Sequence, residues 1–345
     1  MSRARACGLT LFLGAALSAL AGEPAVALRA ESFTVPPATG PVFYVDVENR
    51  SGSPCQGTLA VRPPEGWQLH RAEQALSLGP NETKRVAFAI QKATNRDDNA
   101  YPVQVVATLG GSRVVREQTV VCASAPYFKP RIDGRAGDWD DAIPVTFAVK
   151  GRKTVVRTFW NRDEMAFLVE VDEARLVGYR KAAEFDAVQI AVAPREARTG
   201  TKPAEEAARY EFLLVASGSF WSRDKCFLLA KPGVTLAATQ ERRGLAPLQL
   251  KDAKLSVRRR RGVTAYECAI PLSAMPEIKA TEGREFCLSF LVHDPDGTGV
   301  RDWGEAAGLW PWQRNRLAWS DWPGARWQAA PFDGKVEWGF CSSKH

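Results

Sequence analysis

The stretch TVVRTFWNRDEMAFLVEVD, residues 154–172, places two apolar β-strands on either side of a short polar turn. β-Branched and aromatic residues dominate both halves, as is typical of strands. An opening segment, RIDGRAGDWDDAIPVTFAV, and six further strand candidates share this composition: FDAVQIAVA, RYEFLLVAS, CFLLAK, LSVRR, TAYECAIPL and FCLSFLVHD. Only GYRKAAE and PAEEAARY look helical, and both are short. This pattern predicts an all-β domain over residues 131–340, built as a large antiparallel β-sandwich.

The preceding part of the chain also consists of short strand candidates, over residues 28–123. FYVDVENRSG, GTLAVRPPEGW, ALSLGPNETKRVAFAI and YPVQVVATLGGSRVVREQTVVCA each place strand-like sequence beside a turn rich in Gly, Pro or Asn. Strands at this interval predict a smaller antiparallel sandwich. Residues 124–130, SAPYFKP, are the predicted linker between the two domains.

Residues 1–21 have the features of a secretory signal peptide. Two arginines precede a short apolar run, and the small residues Ala19 and Ala21 form a cleavage site just before Gly22. We therefore expect a secreted, periplasmic or cell-surface protein with no membrane span. Without the two leader arginines the formal charge of +7 becomes +5, which is too mild to require a nucleic-acid or membrane partner. The basic run 258–261 is interpreted as a solvated hairpin tip, with contact to an acidic polysaccharide as the alternative.

The cysteine count favours disulfides, because six cysteines remain once Cys7 leaves with the leader. We predict that Cys55 pairs with Cys122 in the first domain. Three connectivities stay open for the four cysteines of the second domain, which are Cys226, Cys268, Cys287 and Cys341. No C-x-x-C spacing occurs, so the cysteines do not indicate a zinc site.

Seven of the eleven tryptophans lie between Trp303 and Trp338, separated by Pro, Gly, Asp and Arg. Each indole is a large apolar ring with one N–H that needs a partner, so a dense run is unusual for a core. Flat rings beside polar groups suit a ligand with C–H faces and hydroxyl edges, such as a sugar. The alternative is that these rings close one end of a sandwich.

Residues 28–123 resemble the immunoglobulin-like module that is often attached to secreted glycosidases. The residues that carry the resemblance are VENRSG, the strand ending in PPEGW, SLGPNETKRVAFAI and YPVQVVATL. The resemblance implies an N-terminal immunoglobulin-like sandwich that acts as a spacer.

Residues 131–340 resemble the family 9 carbohydrate-binding modules and related sugar- and haem-binding sandwiches. Six motifs in order carry this resemblance, and a terminal tryptophan loop follows them. They are IDGRAGDWDDA, the turn at 160–163 with its following strand, FDAVQI, YEF, YECAIP, the strand 288–297, and Trp319-Ser320-Asp321 leading to Trp327.

In that family two tryptophans enclose a terminal sugar, and polar side chains bind its hydroxyls. The resemblance assigns the later ring to Trp327, with Trp319 beside it. Where the earlier ring is expected, before Asp186, this chain has Ala182, Ala183 and Glu184. Tyr179 or a ring of the segment 303–312 is the predicted substitute. The candidate carbohydrate-binding residues are Trp327, Trp319, Trp310, Trp312, Arg301 and Arg326.

Two groups of aspartates could hold the structural calcium that some members of this family bind. They are Asp133, Asp138, Asp140 and Asp141 in the opening turn, and Asp294, Asp296 and Asp302 in a later one. Asp is also an ordinary turn residue, so no cofactor is required. Met165, Met275 and His293 are the candidate ligands for haem in the alternative that related sandwiches suggest.

No nucleophile–base pair, phosphate loop or zinc-protease motif occurs, so we expect no enzyme activity. The sequence therefore predicts an exported, non-catalytic carbohydrate-binding protein. Its expected partners are a glycan or polysaccharide and a separate glycoside hydrolase that recognises or degrades the polysaccharide. The alternatives are a structural or adhesive envelope protein without a ligand, and a haem-binding redox sandwich.

Overall fold

The computed structural model describes residues 25–179, 184–194, 209–218, 223–232, 245–306 and 337–340. These residues are almost entirely β-structure, and the prediction of an all-β protein with antiparallel sandwiches is confirmed. The one α-helix among them is the single turn α1, Trp303–Ala306. No helix in this part of the chain combines the length and the apolar character that a bilayer crossing requires.

The first sandwich consists of two four-stranded sheets with the orders β1-β2-β6-β4 and β5-β3-β7-β8. Its strands are β1 Val26–Ala30, β2 Val42–Asn49, β3 Cys55–Arg62, β4 Gln68–Leu69, β5 Glu73–Leu78, β6 Thr83–Lys92, β7 Tyr101–Leu109 and β8 Ser112–Val120.

Side-chain alternation explains how these strands form a sandwich. In β6, Val86, Phe88 and Ile90 are buried while Ala87 and Ala89 between them are exposed, which is the period of a strand with one face in the core. The inner faces meet around Trp67 and Tyr101, whose ring centroids are 5.2 Å apart.

The predicted Cys55–Cys122 disulfide is wrong, because no disulfide links the cysteines that the structure describes. Cys55 begins β3 at the sheet end where β7 turns into β8. Cys122 follows the far end of β8, which pairs with Tyr101 at the start of β7. The two residues thus lie at opposite ends of a sheet of nine-residue strands, beyond the reach of a disulfide.

The second sandwich is larger and has sheets of five and seven strands. The five-stranded sheet has the order β10-β11-β12-β17-β16, and the seven-stranded sheet has the order β15-β14-β13-β18-β20-β9 with β19 beside β18. The strands are β9 Ser124–Ala125, β10 Val145–Val149, β11 Arg152–Trp160, β12 Glu164–Asp172, β13 Ala187–Pro194, β14 Tyr210–Val215, β15 Lys225–Ala230, β16 Lys254–Arg260, β17 Val263–Pro271, β18 Glu285–Asp294, β19 Gly299–Asp302 and β20 Glu337–Phe340.

In each strand of this sandwich, the residues that face the other sheet are either all even-numbered or all odd-numbered. Even-numbered residues of β13, β14, β17 and β18 face the other sheet, and odd-numbered residues of β12 do the same. Met165, Phe167, Val169 and Val171 therefore pack against residues of the seven-stranded sheet. This parity determines which polar residues enter the space between the sheets at the ends of the strands.

The predicted linker contributes to the second sandwich, because β9 pairs in parallel with β20. Two hydrogen bonds also join the sandwiches: Thr34 donates to Glu285 at 3.1 Å, and the Asn99 side chain donates to the Pro144 carbonyl at 2.9 Å.

The basic run 258–261 lies where the sequence predicted it, at the tip of the β16–β17 hairpin. Arg261 and Gly262 form the turn with φ of 49° and 87°, as a two-residue hairpin loop requires. Arg259 is not purely solvated, since its guanidinium donates to the backbone carbonyls of Glu173 and Ala174.

Candidate functional site

Most of the predicted sugar-binding residues lie outside the described residues. These are Trp310, Trp312, Trp319, Arg326 and Trp327. The structure does describe Trp303 and Arg301, which precede them in the chain, and Tyr179, the predicted substitute for the missing ring.

Trp303 is a core residue with 2% of its surface exposed. Its ring stacks on Phe290 at a centroid distance of 4.4 Å and an angle of 17°. The tryptophan-rich segment therefore begins with an indole that anchors the chain to β18, and a sugar cannot reach this ring.

Arg301 is fully enclosed, with 0% exposure, so the predicted hydrogen bond to a glycan hydroxyl is not available to it. Its guanidinium instead donates to the Asp294 carboxylate at 2.6 Å, to the Asp172 carbonyl at 2.7 Å and to the Thr298 hydroxyl at 2.7 Å. An arginine buried with this many partners holds strands together. In this chain it joins β19 to the end of β12.

Tyr179 is half-buried and lies against apolar rings. Its ring meets Phe185 and Phe227 edge to face, with centroids 6.1 Å and 6.0 Å away. The Lys225 ammonium is 5.7 Å from its centroid. Tyr179 thus has a packed face and a partly accessible one. Ala182 and Ala183, where the family has its ring, lie outside the described residues.

Three carboxylates meet between the sheets at one end of the second sandwich. Glu173 follows β12, Asp186 precedes β13 and Asp294 ends β18, each on the inward parity of its strand. Each offers a carboxylate oxygen, and these oxygens all lie within 4.8 Å of one another. All three residues are buried, with exposures of 2%, 0% and 3%. We call this group the carboxylate cluster.

Protein donors satisfy only part of the carboxylate cluster. The Thr264 hydroxyl donates to Glu173, and the Val177 N–H donates to Asp186. Glu173 Oε2 and Asp186 Oδ1 are buried and have no hydrogen-bond partner among the residues that the structure describes. Unpartnered buried carboxylate oxygens are costly, so they indicate a missing ligand or a proton.

The third carboxylate is better satisfied. Thr298 donates to Asp294 Oδ2 through its N–H at 3.0 Å and its hydroxyl at 2.9 Å, and Arg301 adds an ion pair. Gly297 fits beside Asp294 because any side chain at residue 297 would collide with the carboxylate. The turn 294–298 thus holds Asp294 in one position.

The electrostatics of the carboxylate cluster follow from its burial and its like charges. Burial raises the pKa of Glu173 to about 8, although the Thr264 hydrogen bond opposes the shift. Burial raises the pKa of Asp186 to about 7 in the same way, and nearby aspartates add to the shift. Burial also acts to raise the pKa of Asp294, but the hydrogen bonds from Thr298 and Arg301 outweigh it and lower that pKa.

These observations fit a divalent cation with oxygen ligands. Three ionised carboxylates and the single guanidinium of Arg301 leave two excess negative charges in a buried space. Two protons or one divalent cation would balance them. Calcium prefers carboxylate and carbonyl oxygens, and the two unpartnered oxygens are such ligands.

The calcium prediction from sequence found only one member of this group. Asp294 is in the carboxylate cluster, but Asp296 pairs with Arg175 on the surface. In the opening turn, Asp133 and Asp138 accept backbone N–H groups of Arg135 and Arg131 as ordinary turn residues. Glu173 and Asp186 were missed. The signal that could have found them is the alternation of side chains. Counted onward from the inward-facing apolar residues of β12, Glu173 faces inward, and counted back from those of β13, Asp186 does so too.

The structure does not bring the predicted haem ligands together. Met165 and Met275 are buried between the sheets. His293 is on the opposite face of β18, where its Nε2 lies 3.0 Å from the Gln189 side-chain oxygen. Burial lowers the pKa of His293 to about 4, so the ring is neutral at neutral pH.

A further polar network covers the outer face of the seven-stranded sheet around His293. The Gln189 amide donates to Glu211 at 3.0 Å, and Glu211 pairs with Arg209 at 2.9 Å. These side chains are all buried, so other parts of the chain cover this face of the sheet.

No protein-family model matches the chain, and no curated protein is significantly similar to it. Among solved structures, a family 9 carbohydrate-binding module from Caldicellulosiruptor kristjanssonii in complex with cellotriose is 14% identical, with a TM-score of 0.41, and the match covers 64% of this chain and 94% of that chain. A structure of such a module from the same organism with glucose gives 13% identity, a TM-score of 0.40, and coverage of 64% and 95%. The partial N-terminal region of an enterococcal surface protein is 8% identical, with a TM-score of 0.21, and the match covers 80% of this chain and 91% of that chain. With TM-scores below 0.5, these similarities carry no weight for the function of this chain.

Proposed function

We propose that this chain is an exported, non-catalytic carbohydrate-binding protein. The observation that carries the proposal is the concentration of six tryptophans in residues 310–338, after the buried Trp303. The motifs of the second sandwich that resemble family 9 modules support it, since each one whose residues are described forms a strand or turn of one two-sheet sandwich. The first sandwich acts as an immunoglobulin-like spacer.

Trp327 and Trp319 are the proposed contacts with the sugar, together with Trp310 or Trp312. A sugar face stacked on an indole removes apolar area from water, which contributes on the order of a few kcal/mol at ~25 cal/mol per Å². Arg326 is the proposed hydrogen-bond donor to hydroxyl groups. Trp303 and Arg301 are excluded from this set because both are enclosed by protein. The polar residues of the segment thus orient the sugar, and the rings supply most of the contact area.

A separate glycoside hydrolase is the proposed partner, because this chain supplies recognition without cleavage. Glycoside cleavage needs two carboxyl groups that face a substrate across a cleft. The carboxylate cluster has two groups with raised pKa values, yet Glu173 and Asp186 are closed to a saccharide.

We also infer that the carboxylate cluster holds a structural divalent cation, with calcium as the chemically best match. The two unpartnered oxygens of Glu173 and Asp186 support this inference. The cation would join the end of β12 in one sheet to β13 and β18 in the other. Its role is to stabilise the sandwich that carries the tryptophan-rich segment.

The carbohydrate-binding proposal is tested by affinity electrophoresis and pull-down on a panel of soluble and insoluble polysaccharides. We expect the unmodified protein to be retained on at least one glycan, and Trp327→Ala to lose that retention. Tyr127→Ala is the matched control, because it removes a 40% exposed ring in the linker.

Retention that survives both Trp327→Ala and Trp319→Ala would exclude the proposed platform. Absence of retention on every glycan would favour the structural or adhesive envelope protein. Circular dichroism and thermal melting of each variant confirm that the sandwich is intact, so that lost retention reports on the site.

A further inference from the structure

Two cysteines of the second sandwich face each other across the space between its sheets. Cys226 is in β15, at the edge of the seven-stranded sheet, and Cys268 is in β17 of the five-stranded sheet. Both have the inward parity of their strands and belong to the same apolar core. Their exposures are 2% and 0%.

Burial raises the pKa of the Cys268 thiol, and the neighbouring Cys226 side chain adds to the shift, so the two cysteines lie close to each other within one apolar core. A disulfide forms only where both side chains point at each other over a short distance. Both side chains point from facing sheets into the same space, which is the arrangement that such a bond needs.

The surrounding backbone holds this pair in place. The Asp224 carboxylate accepts the N–H of Ser217 at 2.9 Å and the N–H of Val257, in β16, at 2.7 Å. The Leu250 N–H donates to the carbonyl of Cys226 itself at 2.9 Å. Cys226 is therefore fixed to residues next to β17, and its distance from Cys268 is set by more than side-chain packing.

A cleft of about 890 Å³ between β15 and β16 reaches one of the two cysteines. Cys226 lies in its wall, beside Lys225, Asp252 and Ser256. Cys268 is not part of this wall and lies deeper in the core. Of the two cysteines, Cys226 is therefore the one that an oxidant entering this cleft would meet first, and Cys268 is placed to react with Cys226.

We propose that Cys226 and Cys268 form a disulfide that links the two sheets of the second sandwich. With glutathione disulfide as the oxidant, the Cys226 thiolate attacks one glutathione sulfur, and the first glutathione leaves as a thiol. The Cys268 sulfur then attacks the Cys226 sulfur, its proton passes to the departing sulfur, and the second glutathione leaves as a thiol. Two protein thiols and one glutathione disulfide become one protein disulfide and two glutathione thiols.

Peptide mapping of the full chain tests this bond directly. The reduced, folded protein is incubated with glutathione disulfide, blocked with N-ethylmaleimide in denaturant and digested with trypsin. We expect peptides 226–242 and 262–279 to appear as one species that separates on reduction. The proposal is overturned if both peptides are recovered singly with blocked thiols, or if either is linked to a peptide that contains Cys287 or Cys341.

Stability gives a second readout that does not depend on a variant. Closing a loop between residues 226 and 268 restricts the unfolded chain, so the oxidised protein should melt roughly 10 °C above the reduced one. Cys226→Ser should abolish the difference, and Cys55→Ser should retain it as a control in the first sandwich. An equal melting temperature for the oxidised and reduced forms of the unmodified protein would also contradict the proposal.

Discussion

Calcium should stabilise this protein through the carboxylate cluster, and Asp186→Asn should abolish that response. The substitution keeps the shape of the side chain and removes one charge and one of the two unpartnered oxygens as an anionic ligand. In the cation-free protein it also removes a like charge from a buried group. We therefore expect Asp186→Asn to be as stable as the unmodified protein, or more stable, when calcium is absent.

The magnitude follows from the geometry. Two like charges within 4.8 Å of each other repel by about 3.5 kcal/mol or more at an effective dielectric constant of ~20. Calcium at one hundred times its dissociation constant would stabilise the folded state by about 2.7 kcal/mol. For a domain of this size that free energy corresponds to a rise in melting temperature of roughly 5–10 °C.

Differential scanning calorimetry at pH 8, with EGTA or with millimolar calcium, is the appropriate assay. Asp163→Asn is the control, because Asp163 is an exposed carboxylate that pairs with Lys129 and precedes β12 at the end away from Glu173. That variant should keep the full calcium response. If the unmodified protein melts at the same temperature with EGTA and with calcium, the carboxylate cluster does not hold the cation.

The pH dependence has a definite sign. The folded-state pKa values of about 8 for Glu173 and about 7 for Asp186 lie above their ordinary values, so the folded protein binds more protons than the unfolded chain. Without a cation, the contribution of these two carboxyl groups to stability should therefore fall as the pH rises from about 4 to 8. Calcium displaces those protons, so its affinity should rise over the same interval and its binding should release acid into a weak buffer.

Three further outcomes follow from buried side chains of the second sandwich. Arg301→Met should cost roughly 3–5 kcal/mol in the free energy of unfolding, measured by urea denaturation, because it leaves the Asp294 carboxylate without its ion pair; a cost below 1 kcal/mol would contradict the enclosed position of Arg301. Trp303→Ala should cost about 3–5 kcal/mol by losing the stack on Phe290, whereas Trp327→Ala should leave the melting temperature nearly unchanged. Burial lowers the pKa of His293 to about 4, so its NMR titration should lie well below that of free histidine. The buried ring should also make its own contribution to stability fall as the pH drops from ~6.5 towards 4. An ordinary pKa would show that the ring is not buried.

The sequence was sufficient for the strands and for their sandwich class. Strands such as β12 and β18 are long apolar runs flanked by turns, and their local pattern is strong enough to decide their structure. It was not sufficient for contacts between distant strands. The Cys55–Cys122 pairing failed because spacing along the chain does not show which end of a sheet a residue occupies.

The same limit applies to the candidate site. Asp294 and Asp296 are two residues apart and look equivalent as turn acids, yet one is buried beside Arg301 and the other is on the surface. Arg301 and Trp303 resembled binding residues because of their neighbours in sequence. Only the pairing of β19 with β18 shows that both face the interior.

The pairing of β19 with β18 also connects the carboxylate cluster to the proposed sugar platform. The chain leaves Asp294 through the turn at Gly297, returns along β19 with Arg301, and enters the tryptophan-rich segment at Trp303. Arg301 contacts both the Asp294 carboxylate and the end of β12 at Asp172. A cation at the carboxylate cluster would therefore hold the residues from which the platform emerges. On this basis we expect glycan retention to weaken in EGTA in the unmodified protein and to become insensitive to calcium in Asp186→Asn. Retention that is equal with and without calcium would show that the two sites are energetically independent.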